Sequence, residues 1–177
     1  MNHPPPHSFS RSPVEEVICR CVLGYNAESL SLTIPGPYPG WPKIRERIRE
    51  MVDSVEDISR ITGAMLIYTD LFPVLPGVTL PEAKDIEQIL SGEYNCHTVR
   101  DKVVFSCTSI PGTAGTIRSL RNSPKRPGWT LVFSVQTEGQ HRFASCDLVV
   151  VWFDDAHAAI HNLFDRIVPE DIVQALR

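Results

Sequence analysis

Apolar residues along this chain recur with two periods, and the switches between them mark the elements. Val14–Leu23 is rich in Val, Ile and Cys and predicts a strand. Gly24–Asn26 breaks it. Leu30, Leu32 and Ile34 then alternate with polar residues, which predicts a short half-buried strand. The stretch from Pro35 to Pro42 is dense in Pro and Gly and reads as a rigid loop whose last proline suits the first turn of a helix. Over Lys43–Val55 the period changes: Ile44, Ile48, Met51, Val52 and Val55 form one apolar helical stripe. Ser59–Phe72 is too apolar and β-rich for an exposed helix and predicts a central strand. Pro81–Leu90 predicts a second helix, with Gly92 at its C-terminal cap.

The rest of the chain predicts mostly strands, then helices. Val99–Ser106 is a strand, Gly112 and Gly115 a turn, and Thr116–Leu120 a short strand. After a polar loop, Trp129–Thr137 alternates well. Glu138-Gly139 reads as a tight turn that returns the chain as a hairpin strand over Phe143–Trp152. A helix is expected to begin at Asp154-Asp155 and run to about Asp165, with a last short helix opened by Pro169. Strands run together without βαβ alternation, so the expected class is α+β: a curved, mainly antiparallel sheet backed by three to four helices.

Composition adds bounds. A chain of 177 residues is one domain, expected over residues 13–177, with a flexible Pro/His/Ser tail over 1–12. No apolar run approaches the length of a membrane helix, so no membrane association is expected. The net charge of -4 offers no broad positive field for nucleic acid. Five cysteines at irregular spacing make a poor disulfide framework, and four of them lie in apolar, strand-like runs. With no basic-then-apolar leader in the first residues, a reducing cytoplasm is expected.

Three stretches resemble a family of uncharacterised, sporadically distributed bacterial and archaeal proteins. Near the end stand Trp152-Phe153-Asp154-Asp155-Ala156-His157, Ile160-His161-Asn162-Leu163-Phe164 and Ile167-Val168-Pro169-Glu170. They are similar to that family's closing segment, with its "Leu-Asp-x-Ala-His" helix start. Tyr38-Pro39-Gly40-Trp41 resembles its "Tyr-Pro-x-Trp" entry to a helix, and Ser12-Pro13-Val14-Glu15-Glu16-Val17-Ile18-Cys19 its opening strand. The chain reads as a shortened, prokaryotic member. The family's central "Arg-Tyr-Ile-Asn-Arg" strand is replaced here by Ala64-Met65-Leu66-Ile67-Tyr68-Thr69-Asp70, so its arginines and asparagine are gone. The resemblance implies a fold class and supplies no mechanism.

Candidate chemistry is sparse. His157 and His161 lie four apart, one helical turn, and with Asp154 could present a metal-binding stripe. A partly exposed polar helix face is the plainer account. Arg118, Arg121, Lys125 and Arg126, with Trp129 nearby, form the best candidate binding surface, for an anionic ligand or a nucleic-acid backbone. Pro111–Thr116 has neither the lysine nor the spacing of a phosphate loop. Tyr68 and Asp70 share a strand face, placed to line a pocket or to form a buried hydrogen-bonded pair. No nucleophile–base motif stands out, catalytic residues cannot be named, and no cofactor is expected. The leading expectation is a non-enzymatic binding or assembly protein that self-associates, as a homodimer or with another protein. A metal-dependent protein or enzyme built on the His/Asp face, and an anionic-ligand or nucleic-acid accessory acting through loop 118–129, are the alternatives.

Overall fold

Alternation along the strands decides which side of the sheet becomes the core. The computed structural model describes residues 13–24, 28–122 and 127–176. The proposed tail over 1–12 lies outside them. Its strands are β1 (Val14–Leu23), β2 (Glu28–Pro35), β3 (Ile61–Phe72), β4 (Cys96–Val99), β5 (Lys102–Ser106), β6 (Thr113–Arg121) and β7 (Trp129–Thr137). The helices are α1 (Trp41–Asp53), α2 (Ala83–Leu90), α3 (Cys146–Ile167) and the short α4 (Glu170–Ala175). The seven strands make one sheet in the order β2-β1-β3-β7-β6-β5-β4, and every pairing is antiparallel. The fold is α+β with a curved, open antiparallel sheet.

Register places Cys19, Leu66, Val135 and Gly115 in one row, and Val17, Tyr68, Phe133, Ile117 and Val103 in the next. All are buried. This inner face meets the apolar stripes of the helices: Ile44, Ile48 and Val52 of α1, Ile86 and Leu90 of α2, and nine residues of α3 from Val149 to Ile167. Burying such side chains stabilises by about 1.5–3 kcal/mol each. Packing is tight enough to dictate glycine at position 115, where an added Cβ would stand 2.2 Å from the Phe105 ring. No helix among the described residues is long and apolar enough to cross a membrane.

Four expectations need correction. Phe143–Trp152 is not a hairpin strand. Ser145 caps a helix there, its hydroxyl accepting from the Leu148 amide, and α3 runs unbroken from Cys146. The β-branched run Val149–Val151 is overridden because the helical repeat Val149, Val150, Trp152, Phe153, Ala156 fits the sheet. Asp154 and Asp155 therefore sit in mid-helix rather than at its start, and Cys146 is helical. Secondly, Gly115 is inside β6 instead of a turn, and β6 spans nine residues. Thirdly, the strand expected over Val99–Ser106 is split by the turn Arg100-Asp101, with Arg100 at φ 58°, into the β4–β5 hairpin. Finally, β3 begins at Ile61, after a 3-10 turn over Ile58–Arg60 capped by Asp57.

Candidate functional site

Polar side chains on β3, α1 and α3 meet where the two helices cross the inner face. Alternation directs Tyr68 of β3 inward. Gly40, at φ 90°, turns the Pro-rich loop into α1, which brings Tyr38 and Trp41 to the same place. His157 comes from the middle of α3. The Tyr38 and Tyr68 hydroxyls are 3.3 Å apart, and the Tyr68 hydroxyl lies 3.0 Å from Nδ1 of His157. The Trp41 and His157 rings stack at 4.1 Å with 6° between planes. One turn back on α3, Asp154 accepts from Nε1 of Trp41 at 2.9 Å and from Nε of Arg45 at 2.8 Å.

Burial sets the protonation of this cluster. It pushes His157 down to about 4, helped by neighbouring His161 and opposed by Asp154. It raises the Tyr68 phenol far above its ordinary value, and raises Tyr38 as well. At neutral pH the chain Tyr38–Tyr68–His157 is therefore uncharged and mutually hydrogen-bonded, as a buried network must be. No group in it titrates near pH 7, where a general acid or base is most effective. Its geometry fastens α1 and α3 to each other and to β3.

Asp70 lies two residues on, facing the same side. It is 2% exposed, and its Oδ1 has no hydrogen-bond partner among the described residues. Desolvation pushes its carboxyl up to about 7. Cys19 and Cys21, also on the inner face, are pushed up to about 12 by burial, so both stay thiols and are poor nucleophiles. All five cysteines are free.

The residues singled out in the sequence separate in space. His157 turns inward to Tyr68, Asp154 is occupied by Trp41 and Arg45, and His161 pairs with Asp165 at 3.2 Å. The three do not converge on one point. Among the described residues no group of three or more His, Cys, Asp and Glu is placed to hold a metal. The basic cluster also divides. Arg118 lies on the outer face of β6 and pairs with Asp101, whereas Arg121 faces the helix side, beside its register partner Trp129. Lys125 and Arg126 lie outside the described residues. Tyr68 is central, but to the buried network instead of a basic surface. Sequence reasoning missed Arg45 as the partner of Asp154. It quoted Tyr38 and Trp41 only for a resemblance, although a Pro-rich loop entering a helix was the available signal.

The second surface is the outer face of the sheet. Among the described residues, α1, α2 and α3 place their buried residues against the inner face and leave this one uncovered. One outer row runs Ile18–Ile67–Ser134–Thr116–Val104, a second Arg20–Met65–Gln136–Ala114–Ser106, and a third Glu16–Thr69–Val132–Arg118–Lys102. Leu71, Thr130 and Leu120 form a fourth. Apolar side chains flank the central strand β7, whose own outward residues are Thr130, Val132, Ser134 and Gln136. Ser29, Ser31 and Thr33 of β2 border the face on one side and His97 of β4 on the other. No protein-family model and no curated protein matches this chain.

Proposed function

We propose that this protein is a non-catalytic binding and assembly module that pairs with a second copy through the outer face of its sheet. The observation behind this reading is the symmetry of that face. β7 is the central strand, with β3 and β1 on one side and β6 and β5 on the other. A two-fold axis along β7, midway between two facing sheets, lays β3 over the partner's β6 and β1 over its β5. Ile18 then meets Val104, Met65 meets Ala114, Leu71 meets Leu120, and Val132 meets its own counterpart. Glu16 comes over Lys102, which complements charge at both ends of the same row. Arg20 donates to Ser31 at 3.1 Å, which draws its guanidinium toward β2 and away from the centre.

Aligned sheets pack face to face about 10 Å apart in this way. A non-obligate interface is ordinarily about as apolar as the rest of the surface, and this mixed face fits that pattern. Strand spacing and rise give the β1-to-β5 part of the face roughly 500–600 Å² per copy. About 1,100 Å² for the pair is at the low end for specific complexes, so a concentration-dependent dimer is expected. The free thiols suit a reducing cytoplasm. We also propose that the chain is a shortened member of the sporadic prokaryotic family that it resembles. In support, Tyr38 and Trp41 of one resembling stretch touch Tyr68 and His157, and His157 belongs to another.

Sedimentation across a concentration series tests the assembly. The expected result is a monomer–dimer equilibrium that Ile67→Lys abolishes. Glu16→Lys weakens it, and Glu16→Lys combined with Lys102→Glu restores it. A monomer at every concentration, or a dimer indifferent to all three variants, overturns the reading.

A further inference from the structure

A cleft lies at one end of the sheet. It opens where β1 ends, β3 begins and the chain passes from β7 to α3, and it encloses about 460 Å³. Its lining is Arg60, Arg142, His141, Gln140, Thr62 and Phe143, with Gly24 and Ser59 at the margin. Backbone bonds fix the walls: Gly24 N–H donates to the Arg60 carbonyl at 2.7 Å, and His141 N–H donates to the Thr62 carbonyl at 2.8 Å. The site is therefore formed before a ligand arrives, which lowers the ordering cost of binding.

Its polar groups are strongly biased in sign. Arg60, Arg142 and His141 line the cleft, and no Asp or Glu does among the described residues. Arg60 pairs with Glu28 at 3.5 Å, but their side chains are 58% and 66% exposed, so the pair is weak and Arg60 can swing to a ligand. Among the described residues no ion pair holds Arg142. Two hydroxyls are already spent: Ser59 donates to Asp57 and Thr62 to the Gly24 carbonyl. The remaining donors are Arg60, Arg142, His141 and the Gln140 amide. Guanidinium forks match carboxylate and phosphate oxygens in pairs.

Size and the back wall define the rest of the ligand. The volume falls within the range of organic-ligand sites, well beyond one inorganic ion. Phe143 is buried, and its ring lies 4.6 Å from that of His141. Together they give an apolar and aromatic surface beside the cationic mouth. We propose that this cleft binds a small organic oxyanion, a phosphate monoester or carboxylate carried on a flat apolar body. Arg60 and Arg142 clamp the anion, and His141 and Phe143 face the body. The cleft is not on the outer sheet face, so the inference goes beyond the assembly reading and stands or falls separately from it.

Titration calorimetry at constant ionic strength with phenyl phosphate, benzoate and inorganic phosphate tests it. At least one of the two aromatic anions is expected to bind saturably and more tightly than inorganic phosphate. Which of the two binds better identifies the ligand as a phosphate ester or a carboxylate. Arg60→Gln and Arg142→Gln should each weaken binding about 10-fold or more, the usual loss for a charge-assisted hydrogen bond. Arg118→Gln, outside the cleft, should leave it unchanged. In the unmutated protein, the His141 ring resonances should shift when ligand is added. Absence of saturable binding by all three probes overturns the proposal. So does binding that survives the Arg60→Gln/Arg142→Gln double variant, or a His141 signal that ligand leaves unmoved.

Discussion

The two faces of the sheet are made by the same strands, yet they do different work. On β3 the inward residues Leu66, Tyr68, Asp70 and Phe72 are buried, while Met65, Ile67, Thr69 and Leu71 between them keep partial exposure. The inner face is a packed interior in which one methyl group too many, as at Gly115, has no room. The outer face is smoother and mixed in chemistry, with apolar rows interrupted by Ser134, Thr116 and Thr69. An interior of the first kind specifies the monomer. A surface of the second kind suits a contact that must form and also release.

Phe133 and Val132, adjacent on β7 and facing opposite ways, sharpen this contrast most. Phe133→Ala should cost about 3–5 kcal/mol. Val132→Ala should cost under about 1 kcal/mol in dilute protein, since it removes little buried area there. Urea unfolding measures both. Equal losses would show that the outer face is as packed as the inner one.

Protons give the next largest effect. Asp70 goes from an ordinary value of 3.8 to about 7 in the fold, so the folded protein holds a proton that the unfolded chain has released. Stability should therefore fall as pH rises between these values, by up to about 4 kcal/mol at 1.36 kcal/mol per unit. His157 goes the other way, from 6.5 to about 4, so the unfolded chain takes up the proton first and stability falls as pH drops through that window. Between about pH 4 and 6.5 the two slopes cancel. Asp70→Asn should raise stability at pH 8 and uncover a steep acid loss between pH 6.5 and 4. His157→Gln should uncover the opposite slope. Unfolding curves at several pH values decide, and a variant whose pH profile matches the parent's would sink the assignment.

Gly115→Ala should cost about 1–3 kcal/mol, because the Phe105 ring must leave its place. Thermal unfolding reads this directly, and an unchanged midpoint would mean that the ring is free to move. Smallest is Arg45→Ala. Its pair with Asp154 is 45% and 30% exposed and should contribute under about 1 kcal/mol, reduced further by salt.

Most of the fold was legible because period and turn chemistry act locally. Trp129–Thr137 alternates, Ile44, Ile48 and Val52 repeat at helical spacing, and both segments form as expected. Cys146–Phe153 was misread because its β-branched run favours a strand locally. Only packing against the sheet, which no local pattern contains, makes it helical. The network had the same difficulty. Nothing near Tyr68 in sequence announces His157, 89 positions away, and Arg45 lies 109 positions from Asp154. The cleft joins Arg60 to Arg142 across a similar gap, and the residues after Glu138 were taken for a turn between strands. Charge and aromatic content marked loop 118–129 instead, but alternation on β6 sends Arg118 and Arg121 to opposite sides.

The fastening of α1 by α3 also bears on how the chain comes together. Trp41 and Asp154 are 113 positions apart, and β3 must await β7 to complete the middle of the sheet. Contacts this distant close slowly. During synthesis the inward side chains of β3, Leu66 and Tyr68 among them, emerge long before the helix α3 that packs on this strand. A nascent chain stalled before Ser145 would display a greasy half-sheet, a natural substrate for chaperones. Helix α3, made after every strand, would then act as the latch that ends this vulnerable period.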